Sequence, residues 1–424
     1  MANDWQLPAT ERTYLRDLAA KQAEYAALPV MAERRARWYA LNDGGAHVRP
    51  PVVIETWTFA RDFLPESAFR CVSPLGRKIE QQMLYQTRNH ELIDDDKVIA
   101  DTFNIGWFTD IDDVGVSVPV ELIKDGEGVE TGYRYLHPIH DLAKDLALIK
   151  PTTFGVDRPK THAWKAFLEE LLGDRLPVRI KTGTFGFTML TYRVVQLMGM
   201  EAFFTAMCDT PDLVHALMGK LRDNALASMR WAESEGLLQC NNGNESSFGS
   251  SYNFTKRLPQ PDWNGGPVRL KDMWGCANSQ ETVGISPDMY HEFCFPYYRD
   301  VCEPMGLLYY GCCEAAHPFW DDIRRYPHLK KVSISRWCDQ AFMAEALKGQ
   351  DIVFSRKPDP NFLSVDKTLN EEAWAAHIRE TLAVTRDVPV EIIVRDVYTV
   401  HGNLANARNA VRIAQREVDR LFTH

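Results

Sequence analysis

The sequence predicts an α/β protein, a (β/α)8 TIM barrel with an N-terminal helical extension, and three observations carry that expectation. Short apolar runs recur from about residue 177 onward: PVRIKTG, GLLQC, MGLLYYG, KKVSIS, DIVFS and PVEIIVRD. Most are followed by amphipathic stretches, at 209–234, 287–303, 318–326, 339–348, 370–385 and 403–421. An earlier buried-looking run, VVIETW at 52–57, supplies one more strand. Strands alternating with helices imply parallel βαβ units. That many units is too many for a small open sheet with a partner domain, so a barrel is the economical solution and a Rossmann-like sheet the runner-up.

Taken in order, residues 1–50 read as a helical arm, with ERTYLRDLAAKQAEYAAL carrying apolar residues at helical spacing. Residues 51–424 read as the barrel, interrupted at about 60–150 by an irregular insertion rich in Asp, Gly and aromatics. Within it a β-hairpin is expected around Asp125-Gly126-Glu127-Gly128, because glycine supplies the positive φ such turns use. Later helix starts carry proline at an early position, at Thr210-Pro211, Ser286-Pro287 and His317-Pro318, where the missing N–H is not needed.

Composition narrows the class. The 424 residues are 45% hydrophobic and carry a formal net charge of −10, with Asp94-Asp95-Asp96 the longest acidic run, which weighs against nucleic acid and anionic membrane as partners. No window approaches the roughly 20 apolar residues of a membrane span, and MANDWQLPATERTYLRDL lacks the apolar core of a signal peptide, so a cytoplasmic protein is expected. Nine cysteines, an odd number without framework spacing, read as reduced thiols. Dinucleotide, P-loop, zincin and hydrolase-elbow motifs are absent from the sequence.

In a barrel, chemistry sits where strands end and helices begin. The candidates are therefore Glu55 and Trp57 after VVI, residues 182–187 after VRIK, Asn241, Asn242, Asn244 and Glu245 after LLQC, and Gly311 to Glu314 after LLYY. Further along stand Arg336 and Trp337, Arg356, Lys357 and Asp359, then Arg395, Asp396 and His401; Trp274, Cys276, Asn278 and Glu281 precede the helix at 287. Glu55 after a buried run needs a partner or a raised pKa, which suits a site and a structural ion pair equally. Asp396 reads either as a ligand or as the partner of Arg395. The polar loop NNGNESSFGSSYNF at 241–254 reads either as a substrate-facing loop or as a merely solvated one, and its place after a strand favours the former.

The adjacent Cys312 and Cys313 pose the sharpest question. Thiolates bind zinc with help from His, Cys or carboxylates. Successive side chains in extended chain point apart, so one thiol is the better ligand, and Glu314, two residues after Cys312, shares its face. Equally, cysteine is among the most buried residue types and packs well in cores. A bridge between the two thiols is disfavoured by disulfide geometry.

Three segments resemble a known family. VRIKTGTFGFTMLTYRVVQLMGMEAFFTAMCDTPDLVHALMGKL, ISPDMYHEFCFPYYRDVCEPMGLLYYGCCE and VEIIVRDVYTVHGNLANARNAVRIA are similar to the uroporphyrinogen decarboxylase superfamily, which includes cobalamin-dependent methyltransferases. The resemblance spans about 175–420, is strongest at SPDMYHEFCFPYY, and implies a (β/α)8 barrel. The methyltransferase branch holds zinc through His-x-Cys at one strand end and a later Cys after the last strand. Tyr310-Gly311-Cys312 stands at the first place and Arg395-Asp396 near the second, so Cys312 is retained while Tyr310 and Asp396 replace the other two. The decarboxylases use an arginine-rich N-terminal segment, and HVRPPVVIETW offers only Arg49, which disfavours the haem-pathway enzyme itself.

The resemblance and the residues together give the working expectation of a methyltransferase component, moving a methyl group from a small O-, N- or S-methyl donor to the cobalt of a separate corrinoid protein. The tryptophans point to an aryl methyl ether. Zinc on Cys312, Glu314 and Asp396 would polarise the leaving group, and Tyr310, Glu245 or His401 would supply a proton. Glu55, Trp57, Asn241, Trp274, Cys276, Arg336 and Arg395 would contact substrate, and Cys313 would pack behind Cys312; a homodimer is one assembly open to the chain. The alternative is a decarboxylase or lyase in which Arg336, Arg356, Lys357 or Arg395 clamps a carboxylate and Asp396 or Glu55 handles the proton. A non-catalytic holder of a tetrapyrrole or corrinoid is the third reading, against which the titratable strand ends argue.

Overall fold

The computed structural model describes residues 5–44, 47–124, 126, 130–183, 185–246 and 250–422. Its strands are β1 (Val52–Ile54), β2 (Phe103–Ile105), β3 (Thr109–Asp112), β4 (Val120–Lys124), β5 (Glu130–Tyr135), β6 (Thr153–Val156), β7 (Val178–Ile180) and β8 (Phe187–Thr188). They continue as β9 (Trp274–Ala277), β10 (Leu307–Tyr310), β11 (Leu329–Ile334), β12 (Val353–Arg356) and β13 (Val390–Val394). Seven of them form one parallel sheet in the order β1-β13-β12-β11-β10-β9-β8. β2 pairs in parallel with β7, while β3 with β6 and β4 with β5 are antiparallel.

Five of the six predicted late runs become strands. GLLQC does not: its chain lies between β7 and β9, tied by side chains rather than a backbone ladder. Thr182 Oγ1 donates to the Gln239 carbonyl at 2.8 Å. Asn241 donates Nδ2 to the Trp274 carbonyl at 2.9 Å and accepts the Trp274 N–H on Oδ1 at 2.8 Å. Beyond β1 the pattern repeats, with the Asp96 N–H on the Val52 carbonyl at 2.9 Å and Asp95 Oδ2 accepting the Ile54 N–H at 2.8 Å.

The N-terminal arm forms α1 (Ala9–Ala26) and α2 (Pro29–Gly44). α1 packs on the helices Pro74–Arg88 and Arg158–Leu172. α2 places Trp38 and Leu41 in a cluster with Val53, Val353 and Ile393, so it closes the end of the sheet where strands begin. Asp96 locks this arrangement: it pairs with Arg37 and Arg49, and Arg49 Nε reaches Asp419 in the helix Leu404–Phe422 at 2.5 Å.

The stretch expected to be irregular holds more order than its composition suggests. Ser73 accepts the Gly76 N–H and caps Pro74–Arg88, which has proline in its first turn, and β2 follows. The hairpin is present as β4 and β5; of its expected turn, Asp125, Glu127 and Gly128 lie outside the described residues. The predicted helix starts recur at Pro211–Ser234 and Pro287–Phe293, the latter capped by Ser286 Oγ on the Met289 N–H at 3.1 Å. Among the described residues no helix is long and apolar enough to cross a membrane.

Side chains alternate across each strand, and here the alternation sorts by polarity. The outer face carries Val52, Ile54, Leu308, Tyr310, Val332, Ile334, Phe354, Val390, Ile392 and Val394, packed against helices in two apolar clusters. The inner face carries Tyr309, Lys331, Ser355 and Glu391 in one hydrogen-bonded network. Continuing the same face past the strand ends brings Glu55, Lys357 and Arg395 to the mouth, all buried.

Candidate active site

At the foot of the inner face the polar groups neutralise one another. Lys331 Nζ meets Glu391 Oε2 at 3.0 Å with both side chains fully buried, and Ser355 Oγ donates to Glu391 Oε1 at 2.5 Å. Burial acts to raise the Glu391 pKa, but the Lys331 and Lys357 ammoniums outweigh it and hold the carboxylate below its ordinary range. One level up, Lys357 Nζ donates to Tyr309 Oη at 2.8 Å and Ser355 Oγ at 2.5 Å. Burial pushes the Lys357 pKa down to about 7, with Arg395 adding to the effect and Glu391 opposing it.

At the mouth, a chain of contacts runs between the ends of β10, β13 and β1. Cys313 Sγ lies 3.2 Å from Asp396 Oδ2, Asp396 Oδ2 lies 3.4 Å from Arg395 Nε, and Arg395 Nε lies 3.6 Å from Glu55 Oε2. Burial raises the Glu55 pKa against the pull of Arg395. Asp396 adopts a left-handed φ of 58°, uncommon for a non-glycine residue and concentrated at functional sites in folded proteins. Asn278, wholly buried at the end of β9, has no hydrogen-bond partner on either carboxamide atom among the described residues.

The turn after β10 is built by Gly311 and Glu314. Gly311 has φ 96°, and a Cβ there would meet Ser333 Cβ at 3.0 Å, so only glycine makes the turn without strain. Glu314 then folds back: its two oxygens accept the Cys312 N–H at 2.7 Å and the Ser279 N–H at 3.1 Å. This settles which thiol faces outward. Cys312 is 3% exposed, whereas Cys313 lines a cavity of about 600 Å³, the reverse of the expected order. The two sulfurs stand 3.4 Å apart, and that contact together with burial pushes the Cys312 thiol far up.

The cavity joins an apolar wall of Met200, Val283, Ala315 and Trp337 to Gln280, Glu281, Cys313 and Glu314. Glu281 accepts the Thr191 hydroxyl at 2.8 Å, and burial raises its pKa. Burial raises the Glu314 pKa too, and the nearby Glu281 charge adds to it. Beyond the strand ends stand three exposed aromatic rings, Trp57 (60%) after β1, Trp337 (65%) after β11 and Tyr398 (74%) after β13.

Of the residues expected from sequence, the structure brings together Glu55, Arg395, Asp396, Cys312 and Glu314. Others stand apart. Tyr310 is on the outer face, its hydroxyl 2.6 Å from both Ser279 Oγ and Tyr290 Oη; strand alternation gives the inward place to Tyr309. Glu245 pairs with Lys181 and accepts the Gly243 N–H at 3.0 Å. His401 is exposed, with Nε2 3.2 Å from the Ser364 carbonyl. Asn241 is spent on the β9 backbone, and Trp274 lies over Lys331 near the closed end. Cys276 is inward but buried, and burial raises its thiol pKa well above ordinary. Arg336 stacks on Trp337 and pairs with Asp359 at 2.7 Å, so it belongs to the rim, as does Trp57. Of the expected 182–187 and 241–254 stretches, Thr184 and 247–249 lie outside the described residues.

The expected zinc ligands do not converge as a donor set. Both Glu314 oxygens face backbone N–H groups, leaving Cys312 and Asp396 without it, and among the described residues no group of three or more His, Cys, Asp and Glu side chains is arranged to hold a metal ion. The residues present do not fit the ion.

The sheet and the mouth define the class: an α/β protein whose parallel strands end in a cluster of titratable groups beside an apolar cavity. No family model and no curated protein matches the sequence. Among solved structures, a methyltransferase from Methanosarcina mazei is similar at 11% identity, over 89% of this chain and 93% of that one, with a TM-score of 0.46. No residue role is carried across from a likeness that distant.

Proposed function

We propose that the chain is an enzyme that transfers a methyl group from a small methyl donor seated in the 600 Å³ cavity, and that Glu281 is the acid that protonates the leaving group. The observation that supports it best is the pairing, in one cavity, of an apolar wall with a buried carboxyl whose pKa is raised. A carboxyl whose pKa is raised holds its proton to higher pH than an ordinary one, and can donate it to an oxygen, nitrogen or sulfur on which charge develops as the methyl leaves. Trp337, Met200 and Val283 give that side an apolar wall that suits an aryl methyl ether. Cys313 lines the same space, its thiol held by Asp396 at 3.2 Å, and orients the polar end of the donor.

A corrinoid carried by a partner protein would supply the methyl acceptor when bound, and the rim of Trp57, Trp337 and Tyr398 is the surface it would meet. The reading includes a closed barrel, with the gaps beyond β1 and between β7 and β9 bridged as described, membership in the uroporphyrinogen decarboxylase superfamily, and a cytoplasmic location.

The test is to incubate the protein with Co(I) cobalamin and a panel of methyl ethers, methylamines and methyl thioethers, following methylcobalamin by absorbance. One donor class should react, and Glu281→Gln should slow it by about 10²–10⁴-fold. Failure of every donor would end this reading.

One observation favours a second reading. Lys357, buried with a pKa near 7 and flanked by Arg395, suits a carboxylate substrate that loses CO2. Release of CO2 from a carboxylic acid panel, abolished in Lys357→Met, would favour it.

A further inference from the structure

A second cavity lies on the other flank of the β1 end. It encloses about 210 Å³, and its lining includes Thr56, Asn89, Lys97 and Asn244. Among the described residues neither carboxamide atom of Asn89 has a partner, although the residue is only 1% exposed, and Asn244 Oδ1 is also buried without one. Buried amides are nearly always satisfied, so an unsatisfied pair facing one cavity calls for an occupant.

The charges indicate its kind. Lys97 Nζ gives one proton to the Ile54 carbonyl; burial lowers its pKa, and an anion in the cavity would restore the ammonium, which has two more protons to offer. Its nearest carboxylate, Asp95, is 3.9 Å away and already accepts the backbone N–H groups of Ile54 and Lys97. Among the described residues no carboxylate lines the cavity. The space equals roughly seven waters at about 30 Å³ each, enough for a molecule of about six heavy atoms.

We propose that this cavity binds a small hydroxy- or amino-carboxylate. Its carboxylate is held by Lys97 Nζ and the Asn89 amide N–H, and its hydroxyl or amino group donates to Asn244 Oδ1. The site is separate from the methyl-donor cavity and does not rest on that reading. It adjoins Thr56, the residue after Glu55, so an occupant sits one peptide from the Glu55–Arg395 pair.

Isothermal titration of the full chain with L-lactate, D-glycerate and L-serine tests this without methyl donor or cobalamin. At least one should bind once per chain, lactamide should not, and Asn89→Leu and Lys97→Met should each weaken binding at least tenfold while Cys313→Ser leaves it unchanged. Asn89→Leu guards against a Lys97 variant that fails to fold. No binding by any of the three acids, or binding that survives Asn89→Leu, overturns the proposal. So does an Asn89→Leu protein that melts higher than wild type while the wild type binds none of them, since the cavity then holds only ordered water.

Discussion

The two ends of the inner face are made by the same strands and differ in where their polar atoms find partners. At the foot, Lys331, Glu391 and Ser355 satisfy one another beneath Trp38. At the mouth, a few residues further along β9, β12, β13 and β1, the Asn278 carboxamide and Glu55 Oε2 find no hydrogen bond among the described residues, and three aromatic rings face water. One alternating pattern thus supplies a closed electrostatic floor and an open reactive rim. Unsatisfied buried groups lower stability, so the mouth retains a disadvantage that a ligand would relieve.

The sharpest way to break the comparison is at the mouth. Glu281→Gln should cost about 10²–10⁴-fold in kcat/KM, or about 3–5 kcal/mol of barrier, with little change in melting temperature. Because burial raises the Glu281 pKa, the rate should hold at low pH and fall as pH rises through a value above the ordinary 4.5, a limb the variant loses. A pH profile unchanged by the substitution would move the acid elsewhere.

At the foot the prediction inverts. Glu391→Leu leaves Lys331 and Lys357 buried without their carboxylate and should destabilise by about 3–5 kcal/mol in urea, while Lys331→Met with Glu391→Leu should recover most of it. The Glu391 pKa is depressed in the fold, so its contribution is complete above the ordinary carboxylate pKa and fades as pH falls through the lower folded value. If the single variant is as stable as wild type, the floor is not electrostatic.

Smaller effects refine the contrast. Asn278→Leu removes two unpartnered atoms and should leave stability within about 1 kcal/mol or raise it, while KM rises; a large loss of stability would mean the amide has a structural partner. Trp337→Ala at the exposed rim should change stability by about 0.5 kcal/mol or less in thermal melts and alter only KM or partner binding.

The late strands were legible because their outer residues are β-branched and regularly spaced, as in VSIS and VEIIV. β9 was not read as a strand: WGCA has no apolar run, since its inner positions are Trp274 and Cys276 and its outer ones Gly275 and Ala277. Cys312, Glu314, Arg395 and Asp396 were correctly placed at strand ends, but the order of the two thiols was not, because it depends on the left-handed turn at Gly311 and the return of Glu314. Asn278, Glu281 and Lys357 stood among the strand-end residues without the weight their surroundings give them. Tyr309 and Glu391 escaped notice, though a period-two signal, with Lys331, Ser333 and Ser335 alternating with Val332 and Ile334, was there to be read as an inner face. Burial without a partner is a property of three dimensions, and Asn89 carried no mark of it in sequence.

The placement of α2 also bears on how the chain comes together during synthesis. Trp38 waits for Val353 and Ile393, and Arg49 waits for Asp419, 370 residues downstream. Closing contacts that far apart is slow, and apolar surface stays uncovered in the interval. The ribosome therefore releases α2 long before its binding surface exists, which makes this chain one whose yield should depend on chaperones that shelter that helix until the last strand is made.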